Sequence, residues 1–379
     1  MKRLLVVNRG LRLGSPEGHQ AIPFNMYEAE LRERLGLVVE QVTAMDLEEV
    51  EAAVRTRPAD LALIFLSWSV PPAEAGEFLD RLRSIPDCPR LVLMDYLAPA
   101  GSPFLSLASR VDCYVKRQHL ADLSLYQRDY EGGHVFTDFL ARELGYDLDG
   151  WFFATKPDPA SLDRIVTGWN LGVTPRYRRQ LRLCRRLRPL WRLRPFDVHR
   201  RFNPGLRDKK REWYEVYREQ AALKLEPLSP KYRLTGAGRI HHRVYLAELL
   251  ASKLVVSPFG WGEVCFRDYE AVVTGALLVK PSMDHLVTHP DIYRPHETYV
   301  PVRWDLSDLA EVCDYYLSRP SEAQRIIRNA QDALLAYYDG GGFVEDVRRF
   351  RDVAFRDADT TELDGSARSK AARVSAGRP

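Results

Sequence analysis

The stretch SPFGWGEVCFRDYEAVVTGALLVKP, Ser257–Pro281, decides how the chain is read. The apolar run Leu254–Val256 precedes it. It turns on PFGWG, continues in a helical pattern that breaks at Gly275, and closes on a second apolar run, Leu277–Val279, ending in Lys280. Two short apolar runs around one helix read as buried parallel strands joined by a crossover. Counted from Glu263, Arg267 and Glu270 fall at i+4 and i+7, so the helix is expected to carry all three on one face. Phe266, Tyr269, Val272 and Val273 fall on other faces and supply its packing. A solvated Glu–Arg–Glu ladder is the plain alternative. The apolar flanks weigh against it, as does the cost of exposing Phe259 and Trp261 without a partner.

In an open α/β sheet, ligands bind at the carboxyl ends of the strands. The PFGWG loop stands at such an end. Gly260 and Gly262 let the backbone approach a ligand closely, and the helix start beyond them suits phosphate. Arg267 adds a planar cation able to grip phosphate with two hydrogen bonds. Glu270 can accept from two neighbouring sugar hydroxyls, as on a ribose. Lys280, closing the next strand, is expected to bring a further cation to the same cleft.

The rest of the chain repeats this grammar. Apolar runs at Leu4–Val7, Leu37–Val39, Leu61–Leu66 and Leu91–Met94 alternate with helical patterns at Asn25–Leu35, Leu47–Thr56 and Pro72–Ser84. Cys113–Val115 reads as a further short strand, and Leu162–Asn170 as helical. This alternation implies a parallel sheet covered on both faces. A second series starts with a strand at Pro195–His199 and includes a helix at Lys209–Leu225 and a strand at Tyr232–Gly236. Between the two series lies an arginine-rich segment: Arg176, Arg178, Arg179, Arg182, Arg185, Arg186, Arg188, Arg192 and Arg194. Pro189 and Pro195 interrupt it, which marks it as a linker. Leucines and Trp191 interleave its cations. Three readings stay open: attachment to an anionic membrane, nucleic acid as the weakest, or a solvated helix lining a cleft.

The chain has 379 residues, enough for two sizeable cores. Its net charge of +3 points to no class of partner. Five scattered cysteines without a C-x-x-C pair argue for a reducing compartment, against a disulfide framework and against structural zinc. No apolar run reaches the length of a membrane span, so a cytoplasmic protein is expected.

The pattern S-P-x-G-x-G-E, then R-D-x-E-A-x-x-x-G, then an apolar strand, resembles the donor-nucleotide segment of the GT-B-fold glycosyltransferases, nearest the group-1 and exostosin-like members. The resemblance spans Tyr245–Tyr337 and is only architectural over the first half. In that family the two glutamates stand further apart than Glu263 and Glu270 do. The fold it implies is α/β, with two Rossmann-like domains whose parallel sheets face a cleft and C-terminal helices that cross back. The organisation expected is an acceptor-side domain over 1–185 with the basic linker following, and a nucleotide-sugar domain over 186–340. A returning helix over 341–360 and a disordered tail over 361–379 complete it.

The activity implied is transfer of a sugar from a nucleotide-diphosphate sugar to a hydroxyl acceptor in glycan, polysaccharide or glycolipid synthesis, with no metal required. Epimerisation or hydrolysis of a nucleotide sugar on the same fold, or non-catalytic binding, are the alternatives. By the same resemblance Glu270 holds the ribose. Gly260, Trp261, Gly262 and the helix start meet the diphosphate and sugar, Glu263 the sugar, and Arg267 a phosphate or hydroxyl. Arg200 or Arg201, after the first strand of the second domain, would reach the diphosphate. Asp284 and His285 belong to a His- and Pro-rich loop over the donor, which also holds His289 and His296. Their spacing fits no familiar zinc pattern. In the first domain the glycine-rich loop Gly10, Gly14, Gly18 leads to His19, a candidate acceptor contact or base. Asp95 is a second base candidate. The Asp147–Asp149 and Asp357–Asp359 pairs read as chance. The partners expected are the donor, the acceptor and an anionic membrane on its inner face.

Overall fold

The computed structural model describes residues 1–10, 16–187, 191–202 and 212–356. Gly14, Arg188, Pro189, the Asp357–Asp359 pair and the tail over 361–379 lie outside the described residues.

The first half builds β1 (Lys2–Asn8), α1 (Pro16–Met26), α2 (Glu28–Leu35), β2 (Leu37–Thr43), α3 (Leu47–Thr56), β3 (Leu61–Ile64), α4 (Pro72–Arg83), β4 (Arg90–Asp95) and β5 (Cys113–Lys116). After these come β6 (Gln118–Leu120), α5 (Val135–Leu144) and β7 (Ile165–Thr167). Six of the strands form one sheet, ordered β2-β1-β3-β4-β5-β7, and every neighbouring pair is parallel. Local chemistry sets the helix ends. Asp46 caps α3 by accepting from the Glu49 amide at 2.8 Å, and Gly36 ends α2 in a left-handed turn at φ 63°. The segment Leu162–Asn170, expected to be helical, holds the edge strand β7 instead. Its Ile165, Val166 and Thr167 pair with Tyr114, Val115 and Lys116, where β-branched residues fit.

The second half builds α6 (Pro175–Leu187), β8 (Phe196–His199), α7 (Trp213–Leu225), α8 (His242–Leu250), β9 (Ser252–Val256), α9 (Phe266–Thr274) and β10 (Leu277–Pro281). It continues with β11 (Leu286–Thr288), β12 (Val300–Val302), α10 (Leu309–Leu317) and α11 (Pro320–Gly340), and a last helix, α12, runs over 342–356. The second sheet is ordered β12-β10-β9-β8, again all parallel. Tyr232–Gly236 forms no strand; Leu234 makes a single bridge to Val198. The arginine-rich segment read as a linker is largely helix α6. Its Tyr177 and Leu181, one turn apart, bury into the second core and anchor it.

Two hydrophobic cores result, one per sheet. Helix α12 returns to the first core, where Phe343, Val344, Val347 and Phe350 are fully buried. Phe343 packs edge-on against Trp169 at 4.8 Å. This is the expected GT-B-like plan, with C-terminal helices crossing back. The two halves are joined by a two-stranded antiparallel ribbon of β6 and β11. They are also joined where the Asn170 amide donates to the His289 carbonyl at 2.7 Å.

Candidate functional site

Helix α9 begins later than its sequence pattern suggests. Cys265 stands at the N-cap, and Asp268 reaches back to accept from its amide at 3.1 Å, a capping box in an unusual residue pair. Glu263 therefore lies in the loop ahead of the helix, and the expected three-residue stripe does not form. Glu263 is 1% exposed. It accepts from the Ala100 amide of the first domain at 3.1 Å and stands 3.8 Å from His134. Burial pushes its carboxyl above the usual range. Glu263 is a buried interdomain contact.

Asp268 also organises the sheet edge. It accepts from the Ser257 hydroxyl at 2.5 Å and the Tyr293 hydroxyl at 2.8 Å, and pairs with Lys280 at 3.2 Å. Lys280 is fully buried. Its ammonium is spent on Asp268 and the Ser257 carbonyl at 3.3 Å, so it is a structural ion pair and not a cation facing the cleft.

A cavity of 830 Å³ opens between the two halves. Helix α1 contributes His19 and Ile22, α9 contributes Phe266 and Glu270, and α6 contributes Arg176, Tyr177 and Arg179. Among the described lining residues Glu270 is the one acid, facing two guanidiniums and the rings of His19 and His242. Such a wall favours an anionic ligand with hydroxyls to offer a carboxylate. Glu270 is 8% exposed. Tyr245 donates to one of its oxygens at 2.7 Å and Tyr177 to the other at 3.5 Å. Burial and this carboxylate both raise the pKa of each phenol, which keeps it a donor. The two phenols thus fix the plane of the carboxylate.

His19 packs edge-on against Phe266, ring centroids 4.7 Å apart. Its Nδ1 is buried without a partner. Burial, then Arg176 and Arg117, lower its pKa, so the ring is neutral at neutral pH and able to take a proton.

Near the start of α9 two guanidiniums crowd together. Arg267 donates to the Arg201 carbonyl at 3.1 Å, and its Nε is buried without a partner. Arg218, from α7, also has a buried unpartnered Nε. Burial, then the charge of Arg267, push its pKa down. Neither forms an ion pair with a described residue. Gly260 makes room for this arrangement, since a Cβ there would strike the Arg218 guanidinium. Two like charges in a half-buried place, beside a helix start and a glycine loop, form a cradle for an anion. Arg218 was missed in the sequence, where it is one basic residue of an ordinary helical pattern.

The other candidates fall elsewhere. Arg201 forks onto Glu248 at 2.8 and 2.9 Å, and Arg200 bonds Glu226 at 2.6 Å, so both are paired. Gly262 packs on the Ala98 backbone of the first domain, where a Cβ would not fit. Trp261 is 44% exposed, edge-on to Phe153 at 5.7 Å. Asp284 is exposed. His285 lies against Trp304 at 4.9 Å, and burial lowers its pKa to about 4. Asp95 is buried in an ion pair with Lys116 at 3.3 Å and accepts from Tyr114 at 2.5 Å, so it is closed off as a base. Among the described residues no three His, Cys, Asp or Glu side chains converge as metal ligands would.

No protein-family model matches the chain, and no curated protein matches it. Among solved structures it is similar to a glycosyltransferase from Rickettsia africae ESF-5, at 10% identity over 93% of this chain and 98% of that one, with a TM-score of 0.47. It is similar to an alpha-glucosyltransferase in complex with UDP, at 11% identity over 89% and 96%, TM-score 0.46. A third is AviGT4, a glycosyltransferase involved in avilamycin A biosynthesis, at 14% identity over 93% and 98%, TM-score 0.44. Likenesses this loose say nothing of what this chain binds or does.

Proposed function

We propose that the chain is a glycosyltransferase of the group-1 or exostosin-like kind, moving a sugar from a nucleotide-diphosphate sugar to a hydroxyl acceptor. The observation that carries this reading is Glu270, a carboxylate fixed by two phenols in a cavity between the two halves whose other charged lining groups are Arg176 and Arg179. In this reading Glu270 accepts the ribose hydroxyls. The diphosphate lies in the cradle of Arg218, Arg267, Gly260 and the start of α9. The bond between the sugar's anomeric carbon and the diphosphate oxygen breaks, and the diphosphate leaves with the electron pair. The acceptor oxygen bonds the anomeric carbon, and its proton passes to neutral His19. The guanidiniums and the helix start hold the leaving charge without a metal. The five cysteines, all free, suit a cytoplasmic setting. Among the described residues no helix is long and apolar enough to cross a membrane.

A thermal-shift panel of UDP-, GDP-, ADP- and CMP-sugars tests the reading. A true donor at 100 times its dissociation constant adds about 2.7 kcal/mol. Sugar appearing on an acceptor is the expected product. Donor that is consumed with no acceptor product, or a panel with no shift at all, would overturn the assignment.

A further inference from the structure

Helix α6 sorts its arginines by face. Its thirteen residues, PRYRRQLRLCRRL, include no acid. Arg178 and Arg182 bond Asp339, both at 2.8 Å, and Arg185 pairs with Asp332. Arg176, Arg179 and Arg186 are exposed and have no ion pair with a described residue. Arg186 stands three residues after Leu183 on one face of the helix, whereas Arg176 and Arg179, nearer its start, line the cavity of Glu270. Leu183 is 54% exposed.

Past the helix, Leu193 is 75% exposed beside exposed Arg192. Arg328 of α11 is exposed as well, and Arg192, Leu193 and Arg328 rim a second cavity of 740 Å³ with Trp191 and with Cys184 and Arg185 of α6, the residues between Leu183 and Arg186 in the chain. Two exposed leucines thus stand close in the chain to exposed arginines that have no ion pair with a described residue, the mixture of apolar and cationic groups that a lipid boundary takes. A face that stacks on bases would offer flat rings, and Trp191 is only 8% exposed.

We propose that this face docks on an anionic lipid surface. Leu183 and Leu193 enter the boundary between headgroups and acyl chains, and Arg186, Arg192 and Arg328 meet lipid phosphates. The test uses the full chain and co-sedimentation with vesicles of phosphatidylcholine, alone or mixed with phosphatidylglycerol. Arg186, Arg192 and Arg328 stand outside the cavity of His19 and Glu270, so changing them leaves that cavity intact.

The parent should bind mixed vesicles and not neutral ones, and added salt should weaken the binding. Replacing Arg186, Arg192 and Arg328 with Ala should weaken it by roughly fivefold for each charge removed. The pair Leu183→Ser and Leu193→Ser should weaken it as well, with melting temperature unchanged because both sites are exposed. If the arginine variant does not fold, the salt dependence of the parent still decides. Equal binding to neutral vesicles, or none to mixed ones, would overturn the proposal. So would undiminished binding by the leucine variant, or a duplex DNA oligomer bound more tightly than mixed vesicles at the same salt.

Discussion

Arg218 and Arg267 pose the sharpest question at the scale of single residues. Both have a buried, unpartnered Nε; burial and then the repelling charge of Arg267 push the Arg218 pKa down, while Cys265, Tyr245, Asp268 and Glu270 hold that of Arg267 up against its burial. An anion between them turns that repulsion into grip. Arg218→Ala should therefore weaken nucleoside-diphosphate binding by about 1.5–3 kcal/mol, the range for a hydrogen bond to a charged group. The same change should leave the melting temperature level or raise it, because a like charge is removed. Calorimetric titration with a nucleoside diphosphate, paired with a melting curve, checks both. A lower melting temperature with unchanged affinity would make Arg218 a packing residue.

At the scale of elements, α9 shows what the sequence reveals and what it hides. The strands were legible because each is an apolar run buried on both faces: β9 and β10 read directly from LVV and LLV. The helix that carries Glu270 was legible for the same reason, since it sits between two marked strands. The start of that helix was not. Cysteine is a weak cap signal, so the Cys265–Asp268 box went unread and Glu263 was placed on a stripe it never joins. Lys280 was misjudged because a lysine at a strand end looks free until its buried partner is known. In α6 the density of arginine hid the buried pair Tyr177 and Leu181.

Asp268 tests the element account. It serves the cap, Ser257, Tyr293 and Lys280 together. Asp268→Asn leaves a buried ammonium without its counter-charge and should cost about 3–5 kcal/mol in urea unfolding. A loss below about 1 kcal/mol, the value of an exposed pair, would mean that the Lys280 pair does not hold the sheet.

At the scale of the whole molecule, buried histidines tie stability to pH. Burial lowers His134 and His199 to about 3 and His285 to about 4. In the unfolded chain each titrates near 6.5. Their contribution is complete above about 6.5 and is lost as pH falls toward the folded values, because the unfolded state then binds more protons. Glu263, raised by burial, works in the opposite sense and offsets part of this. Going from pH 7 to 5.5, the three histidines should together cost up to roughly 4 kcal/mol, at 1.36 kcal/mol per group per pH unit below 6.5. Melting curves at the two pH values check this, and an unchanged midpoint would contradict the neutral, buried state of these rings.

The account turns on Glu270 as the residue that holds a nucleotide. The direct measurement is nucleotide-sugar affinity and melting temperature, taken together on the parent and on Glu270→Gln. The substitution keeps the volume and removes the charge. Loss of the charged acceptor should weaken binding by about 1.5–3 kcal/mol with little change in melting temperature. A clear drop in melting temperature with affinity unchanged would make Glu270 a structural acceptor for Tyr245 and Tyr177, and the cavity would lose its claim to a nucleotide.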